Sequence, residues 1–289
     1  MTQIIRSLDE IGSGYDVLFC DLWGCLHNGR APYPAAVAAL QDFRRGGGRV
    51  VLMTNAPRPR KYVAEQLDRM GVPRDAWDEI VSSGDAAQDA MFAGAVGRRV
   101  WAIAQPKDEG FFADIPEEWQ DAPPIQRVPL TEAEGIVCCG LFDDLTEAPE
   151  DYHTRLFLAR ERKLKLLCAN PDVVVDLGEK RLYCAGALAE LYEGLGGEVL
   201  YFGKPHAPIY DLARRRLGLD DAARILAVGD GIATDIAGAA GEGIDAIFVT
   251  GGLAATEFGT DVENPDPARL QEWLAMRMQA PRFAMGRLR

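Results

Sequence analysis

Four polar groups, three single residues and one pair, each at the end of an apolar run, have the side-chain types to handle a phosphate group. Asp21 follows Val17-Leu-Phe-Cys20, Thr54 closes the run Arg49-Val-Val-Leu-Met53, Lys204 follows Glu198-Val-Leu-Tyr-Phe202, and Asp230 and Asp235 follow Arg224-Ile-Leu-Ala-Val228. Two carboxylates together make a hard oxygen site suited to Mg²⁺, completed by a backbone carbonyl, waters and a substrate phosphate oxygen. A lysine ammonium can brace a carboxylate and neutralise phosphate charge. A threonine hydroxyl, with the backbone N–H groups beside it, can hold phosphate oxygens.

The apolar runs say where such groups would lie. Val17 to Cys20 lack the alternation of a half-solvated strand, so they read as a strand covered on both faces in the middle of a parallel sheet. In open α/β sheets ligands bind at the carboxyl ends of the strands, where Asp21 would sit. The competing reading of Asp21 is a polar residue that starts a turn, with Gly24 and Gly29 supplying backbone freedom. From Pro34 to Arg45 apolar residues recur at helical spacing (Ala35, Val37, Ala38, Leu40, Phe43), and Gly46-Gly-Gly48 ends the helix. The first two runs thus form a βαβ unit that would set Thr54 and Asn55 beside Asp21. Helices are expected over Arg58 to Met70, Pro208 to Leu217 and Leu270 to Met278, a short one from Ile236 to Ala240, and a strand over Ala246 to Val249. The four polar ends are expected to converge on one edge of one sheet. The last residues, with Arg277, Arg282, Arg287 and Arg289, read as a solvated basic tail.

The middle third carries its own elements: strands over Val100 to Ala104, Gly135 to Leu141 and Leu164 to Cys168, and helices over Asp85 to Phe92 and Asp151 to Arg162. The expected organisation is α/β, a doubly wound Rossmann-like parallel-sheet core formed by residues 1–82 and 184–289, with a smaller α/β domain inserted over 83–183.

Composition narrows the partners. The chain has 289 residues, 48% of them hydrophobic, and its 44 acids against 31 bases leave a net charge of −13. That balance disfavours a broad electrostatic grip on nucleic acid or an anionic membrane, so a phosphorylated substrate would need a local positive site such as a metal. No apolar run reaches the length of a membrane span, and the start lacks a signal-peptide core, so a cytoplasmic protein is expected. The six cysteines show no Cys-x-x-Cys pair and read as buried free thiols. Cys25, in the loop after Asp21, has no neighbouring base to mark it as a nucleophile.

The ordered set Asp-Leu-Trp-Gly, Thr-Asn, Gly-Lys-Pro and Gly-Asp-Gly-Ile-Ala-Thr-Asp resembles the four motifs of the haloacid dehalogenase-like hydrolase superfamily. The large insertion, with Cys-Ala-Asn-Pro-Asp near its end, is similar to the α/β cap of the class IIA members, a group of sugar-phosphate, nitrophenyl-phosphate and pyridoxal-phosphate phosphatases. The resemblance implies that Asp21 attacks phosphorus to form an aspartyl-phosphate, and that Asp21, Asp230 and the backbone carbonyl of Trp23 bind Mg²⁺. It implies that Asp235 holds metal-bound water, that Thr54 with the Asn55 backbone holds the phosphoryl group, and that Lys204 steadies its charge. A small phosphorylated metabolite is the implied substrate, and a homodimer through the cap the implied assembly.

The chain departs from this pattern at Trp23, where the phosphatases have a second aspartate that protonates the leaving alcohol and then activates water. Such acid–base help is worth about 10²–10⁴ in rate. His27, in the same loop, is either a replacement acid or a packing residue. Arg58 is either a substrate contact or a solvated first-turn residue, and Asn170 and Asp172 either meet substrate from the cap or build a turn. The missing aspartate leaves a phospho-ligand-binding protein with little turnover as the alternative function. Phosphonatase and dehalogenase relatives lack that aspartate too. The dehalogenase route needs no metal, which the retained Asp230 argues against, and no cap lysine is marked out for a phosphonatase.

Overall fold

The computed structural model describes residues 1–177, 180–220 and 222–289. The chain divides into two compact units, one made of Met1–Thr54, Ala64–Val81 and Tyr210–Arg289, the other of Asn55–Val63 and Ser82–Ile209.

The first unit is organised on a seven-stranded sheet in the order Gln3–Ile4, Phe283–Met285, Asp245–Val249, Ile225–Gly229, Val17–Cys20, Arg49–Thr54, Glu79–Ser82. Val17–Cys20 pairs in parallel with Arg49–Thr54 on one side and with Ile225–Gly229 on the other, and parallel pairing continues to Asp245–Val249, Phe283–Met285 and Gln3–Ile4. All four residues of Val17–Cys20 are buried, as a run without alternation requires of a central strand. From that strand the chain winds outward through Arg49–Thr54 and Glu79–Ser82, then returns to wind the other way from Ile225–Gly229. The reversal puts the topological switch point between Val17–Cys20 and Ile225–Gly229, where open α/β sheets bind their ligands.

Helix Pro34–Arg45 begins with proline in its first turn and stops at Gly46, with Gly47 in the left-handed region at φ +94°. Its buried face is Ala36, Val37, Ala39, Leu40 and Phe43, whereas Ala35 and Ala38 of the expected face are exposed. The three large side chains set the phase; alanines on their own say little. The wide turn Ile232–Ile236 precedes helix Ala237–Gly241, so the helix expected from Ile236 is wound more loosely at its start. Helix Pro267–Met276 is capped by Asp266, whose side chain accepts from the N–H groups of Ala268 and Arg269. It packs Trp273 flat on Phe248, 5.4 Å between ring centroids, with Phe258 edge-on to both.

The C-terminal residues are not a solvated tail. Phe283–Met285 is a buried strand between Gln3–Ile4 and Asp245–Val249, and Arg282, Arg287 and Arg289 pair with Asp245 and Glu263. Three apolar residues among arginines are too short a run to read as a strand, and only the sheet edge waiting for them makes one.

The second unit has a five-stranded sheet in the order Glu198–Tyr201, Lys165–Cys168, Gly135–Cys138, Arg99–Ile103, Gln126–Arg127, every neighbouring pair parallel. Alternate residues of its strands face two cores. Ile103, Ile136, Cys138, Leu166 and Cys168 pack with Tyr152, Leu156, Leu188 and Tyr192, while Val100, Val137 and Leu167 pack with Ala87, Met91, Phe92 and Phe111. An antiparallel hairpin, Val174–Leu177 with Lys180–Tyr183, follows the strand Lys165–Cys168. The boundary expected at residue 183 falls inside this unit. Helix Ala185–Gly194 covers its sheet, and Glu198–Tyr201 is its edge strand, paired with Lys165–Cys168. Among the described residues no helix is long and apolar enough to cross a membrane, and all six cysteines are buried free thiols.

Phe248 is fully buried at the centre of the aromatic cluster. Phe248→Ala should therefore lower the unfolding free energy by about 3–5 kcal/mol in chemical denaturation, because the surrounding rings cannot collapse into the space.

Candidate active site

Adjacent parallel strands lie about 4.8 Å apart, so residues leaving neighbouring strand ends emerge side by side. Cys20 is in register with Val228, and the N–H of Asp21 donates to the carbonyl of Val228 at 2.8 Å. Asp21 and Asp230 thus leave the two strands that flank the switch point. Both are buried, and one ligand atom from each of Asp21, Cys25 and Asp230 lies within 4.8 Å of the other two.

The loop after Asp21 is tightly folded: the N–H groups of Leu26 and His27 both donate to the carbonyl of Leu22, and that of Gly24 to the carbonyl of His27. Gly24 has φ +74°, and a side chain there would run into the Asp230 carboxylate. A side chain at Gly252 would run into the same carboxylate, and the N–H of Leu253 donates to Asp230 Oδ2 at 2.9 Å. Main chain is therefore packed against Asp230 where side chains would keep it away.

Asp235 sits in the wide turn Ile232–Ile236 with its carboxylate turned back to accept from the N–H of Gly231 at 3.1 Å. Gly229 leaves room for it, since a Cβ there would overlap the Asp235 side chain. Thr54 is buried at the end of the strand next to Val17–Cys20. Trp23 is half-buried, with its ring against the space beside Gly29, and packs edge-on to His27 at 5.5 Å. Burial and the neighbouring acids push the Cys25 thiol well above its ordinary range, so it stays protonated.

This donor set fits a hard divalent cation. Two buried carboxylates whose oxygens approach so closely repel unless a positive charge lies between them, and oxygen ligands suit Mg²⁺. Asp21 and Asp230 are the groups brought together here that would hold it, with the Asp235 carboxylate on the Gly231 N–H.

The expectation that all four polar ends share one sheet is corrected in one respect. Asp21, Thr54 and Asp230 belong to the seven-stranded sheet, but Lys204 follows Glu198–Tyr201, an edge strand of the other. In the second unit Lys204 is nearly fully buried, and Asn55 hydrogen-bonds both its main chain and Asp172. The Asn170 side chain accepts from the N–H of Asp172 at 3.0 Å. Arg58 is held by its backbone: its carbonyl accepts from Ser82 Oγ, and Gly84 packs against its main chain. The backbone around Gly252 and Leu253 was not among the expected site groups. Its signal was Gly251-Gly252, just past a strand that ends at the same sheet edge as Ile225–Gly229.

Two family models match the chain, one described as haloacid dehalogenase-like hydrolase over residues 18–115, the other as HAD-hydrolase-like over 201–270. A haloacid dehalogenase-like family hydrolase from Brucella suis 1330 is 38% identical, with a TM-score of 0.82, over 99% of this chain and 100% of that one. The chain therefore belongs to the haloacid dehalogenase-like hydrolases, within their class IIA. A 4-nitrophenylphosphatase from Thermotoga maritima shares the fold at 20% identity and TM-score 0.70, covering 95% of each chain. A glycerol phosphate phosphatase from Mycobacterium tuberculosis, solved with magnesium, is 25% identical with a TM-score of 0.64, over 86% of this chain and 71% of that one. No curated protein matches the chain.

His27, the candidate replacement acid, does not have the protonation for that role. It is buried, its Nδ1 accepts from the N–H of Gly29 at 3.0 Å, and burial pushes its pKa from the ordinary 6.5 down to about 4. At neutral pH it is an uncharged packing residue. An unfolded chain takes up this proton near 6.5 and the folded one only near 4, so stability is full above the first value and falls as the pH drops towards the second. NMR titration of the ring should give about 4, and the acid-side loss of stability should shrink in His27→Gln. A midpoint near the ordinary value would restore His27 as an acid.

Proposed function

We propose that the protein is a Mg²⁺-dependent phosphoric monoester hydrolase that works through Asp21. The observation that carries the reading is the approach of the Asp21 and Asp230 carboxylates at the switch point. The phosphatase activities of the Thermotoga and Mycobacterium proteins support the same substrate class. Bound Mg²⁺ would supply Lewis-acid charge for a phosphate oxygen.

A carboxylate oxygen of Asp21 attacks phosphorus, the bond to the ester oxygen breaks, and that oxygen leaves with the electron pair. Asp230 would hold Mg²⁺ together with Asp21, and the bound cation would offset the repulsion between the two carboxylates. Thr54 and the Asn55 backbone hold the phosphoryl oxygens, and Lys204 offsets their charge. Asp235 orients water. Attack of water on the aspartyl-phosphate then breaks the Asp21–phosphorus bond and frees inorganic phosphate. Substrate contacts from Arg58, Asn170 and Asp172 belong to the same reading, with a small phosphorylated metabolite as substrate.

Trp23 cannot give a proton to the leaving oxygen or take one from water. Substrates whose leaving group departs unprotonated, phenols and acyl phosphates, are therefore favoured over alkyl phosphates. Trp23 also supports a second reading, a phospho-ligand-binding protein with little turnover. Tight calorimetric binding with no product from a broad phosphate panel would select it.

Purified protein with Mg²⁺ should hydrolyse p-nitrophenyl phosphate, and Asp21→Asn should lower kcat by on the order of 10³-fold or more. Trp23→Asp should raise turnover of alkyl phosphates by about 10²-fold or more. Unchanged activity in Asp21→Asn would remove the nucleophile from the account.

A further inference from the structure

Asn55 is buried directly after Thr54, and its side chain is spent on another residue's main chain. Its Oδ1 accepts from the N–H of Lys204 at 2.7 Å, and its Nδ2 donates to the carbonyl of Lys204 at 3.0 Å. The same Nδ2 donates to Asp172 Oδ1 at 2.8 Å. A primary amide has two N–H bonds, and both are taken here, so none is left to donate to a substrate. A carboxylate only accepts, so Asp172 also fixes which end of the amide faces which group of Lys204.

The surrounding backbone is built for this contact. A side chain at Gly203 would collide with Asn55 Oδ1, with Pro171 and with Ser83 Oγ. A side chain at Gly186 would run into the carbonyls of Pro171 and Asp172. The main chain of Asp172 is held on both sides, by Asn170 Oδ1 on its N–H and by the N–H of Gly186 on its carbonyl, at 3.0 and 3.1 Å. Three segments far apart in sequence are thus tied at one residue whose two backbone groups are both read by a side chain.

We propose that Asn55 and Asp172 are positioning residues that set the backbone of Lys204, and through it the place of the lysine ammonium, and that the Asn55 side chain acts on the reaction by this route alone. The inference assumes the role given to Lys204 in the phosphatase reading. It goes beyond that reading because Asn55 enters there through its backbone, and Asp172 as a substrate contact.

A double-mutant cycle on p-nitrophenyl phosphate with Mg²⁺ tests it. Lys204→Ala should lower kcat by about 10²–10³-fold. Asn55→Ala, by displacing the ammonium, should lower kcat by about 10²-fold with KM changed far less. In the Lys204→Ala background the Asn55→Ala loss should vanish, leaving the double variant within about threefold of Lys204→Ala alone. Losses that multiply would overturn the proposal, because a substrate contact or a purely structural role does not depend on the lysine side chain. Should Asn55→Ala fail to fold by circular dichroism, Asp172→Asn supplies the same cycle with a smaller expected loss, which must again disappear with Lys204→Ala. Full activity in Lys204→Ala would also overturn the proposal, and would leave the Asp21 reading to be judged separately by Asp21→Asn.

Discussion

Two buried carboxylates held close together are the constraint on which the rest of this structure depends. Asp21 and Asp230 emerge from neighbouring parallel strands whose register is fixed by buried apolar residues, so neither acid can move away without disturbing the sheet. Like charges at that separation are tolerable only with a cation between them or a shared proton. The local backbone is packed closely around one of the two acids. Glycine stands at positions 24 and 252, where a side chain would push main chain off the Asp230 carboxylate, and the Leu253 N–H holds one of its oxygens.

The second unit applies the same rule with different groups. Its parallel sheet also presents polar residues just past the carboxyl ends of its strands, Asn170 and Asp172 after Lys165–Cys168 and Lys204 after Glu198–Tyr201. Its lysine is held through its main chain, by hydrogen bonds with the neutral Asn55 amide. The loop carrying Trp23 is closed by its own backbone hydrogen bonds, with Gly29 making room for the indole and a neutral His27 at its edge. On the proposed phosphatase reading, an indole in place of a carboxyl takes a proton carrier out of this loop while Asp21 and Asp230 stay side by side.

Much of this was legible in the chain. Apolar runs without alternation marked Val17–Cys20, Arg49–Thr54 and Ile225–Gly229 as buried parallel strands, and the polar residues closing them marked the site edge. What was not legible depended on pairing between distant segments. Glu198–Tyr201 looks like any short strand, and only its pairing with Lys165–Cys168 assigns it, and Lys204 after it, to the second unit. Phe283–Met285 is too short to stand out until the sheet offers it a slot. The alanines of Pro34–Arg45 carry too little area to set a helix phase against Val37, Leu40 and Phe43. The Asn55 side chain could not be assigned, because its partners lie more than a hundred residues away.

The most direct measurement is an anomalous-scattering map of the crystalline protein soaked in Mn²⁺, a stand-in for Mg²⁺ with the same preference for oxygen ligands. One strong peak within coordinating distance of carboxylate oxygens from both Asp21 and Asp230 is the predicted result. Mn²⁺ bound only elsewhere, or by just one of the two acids, would contradict the claim that they are held together to share a cation.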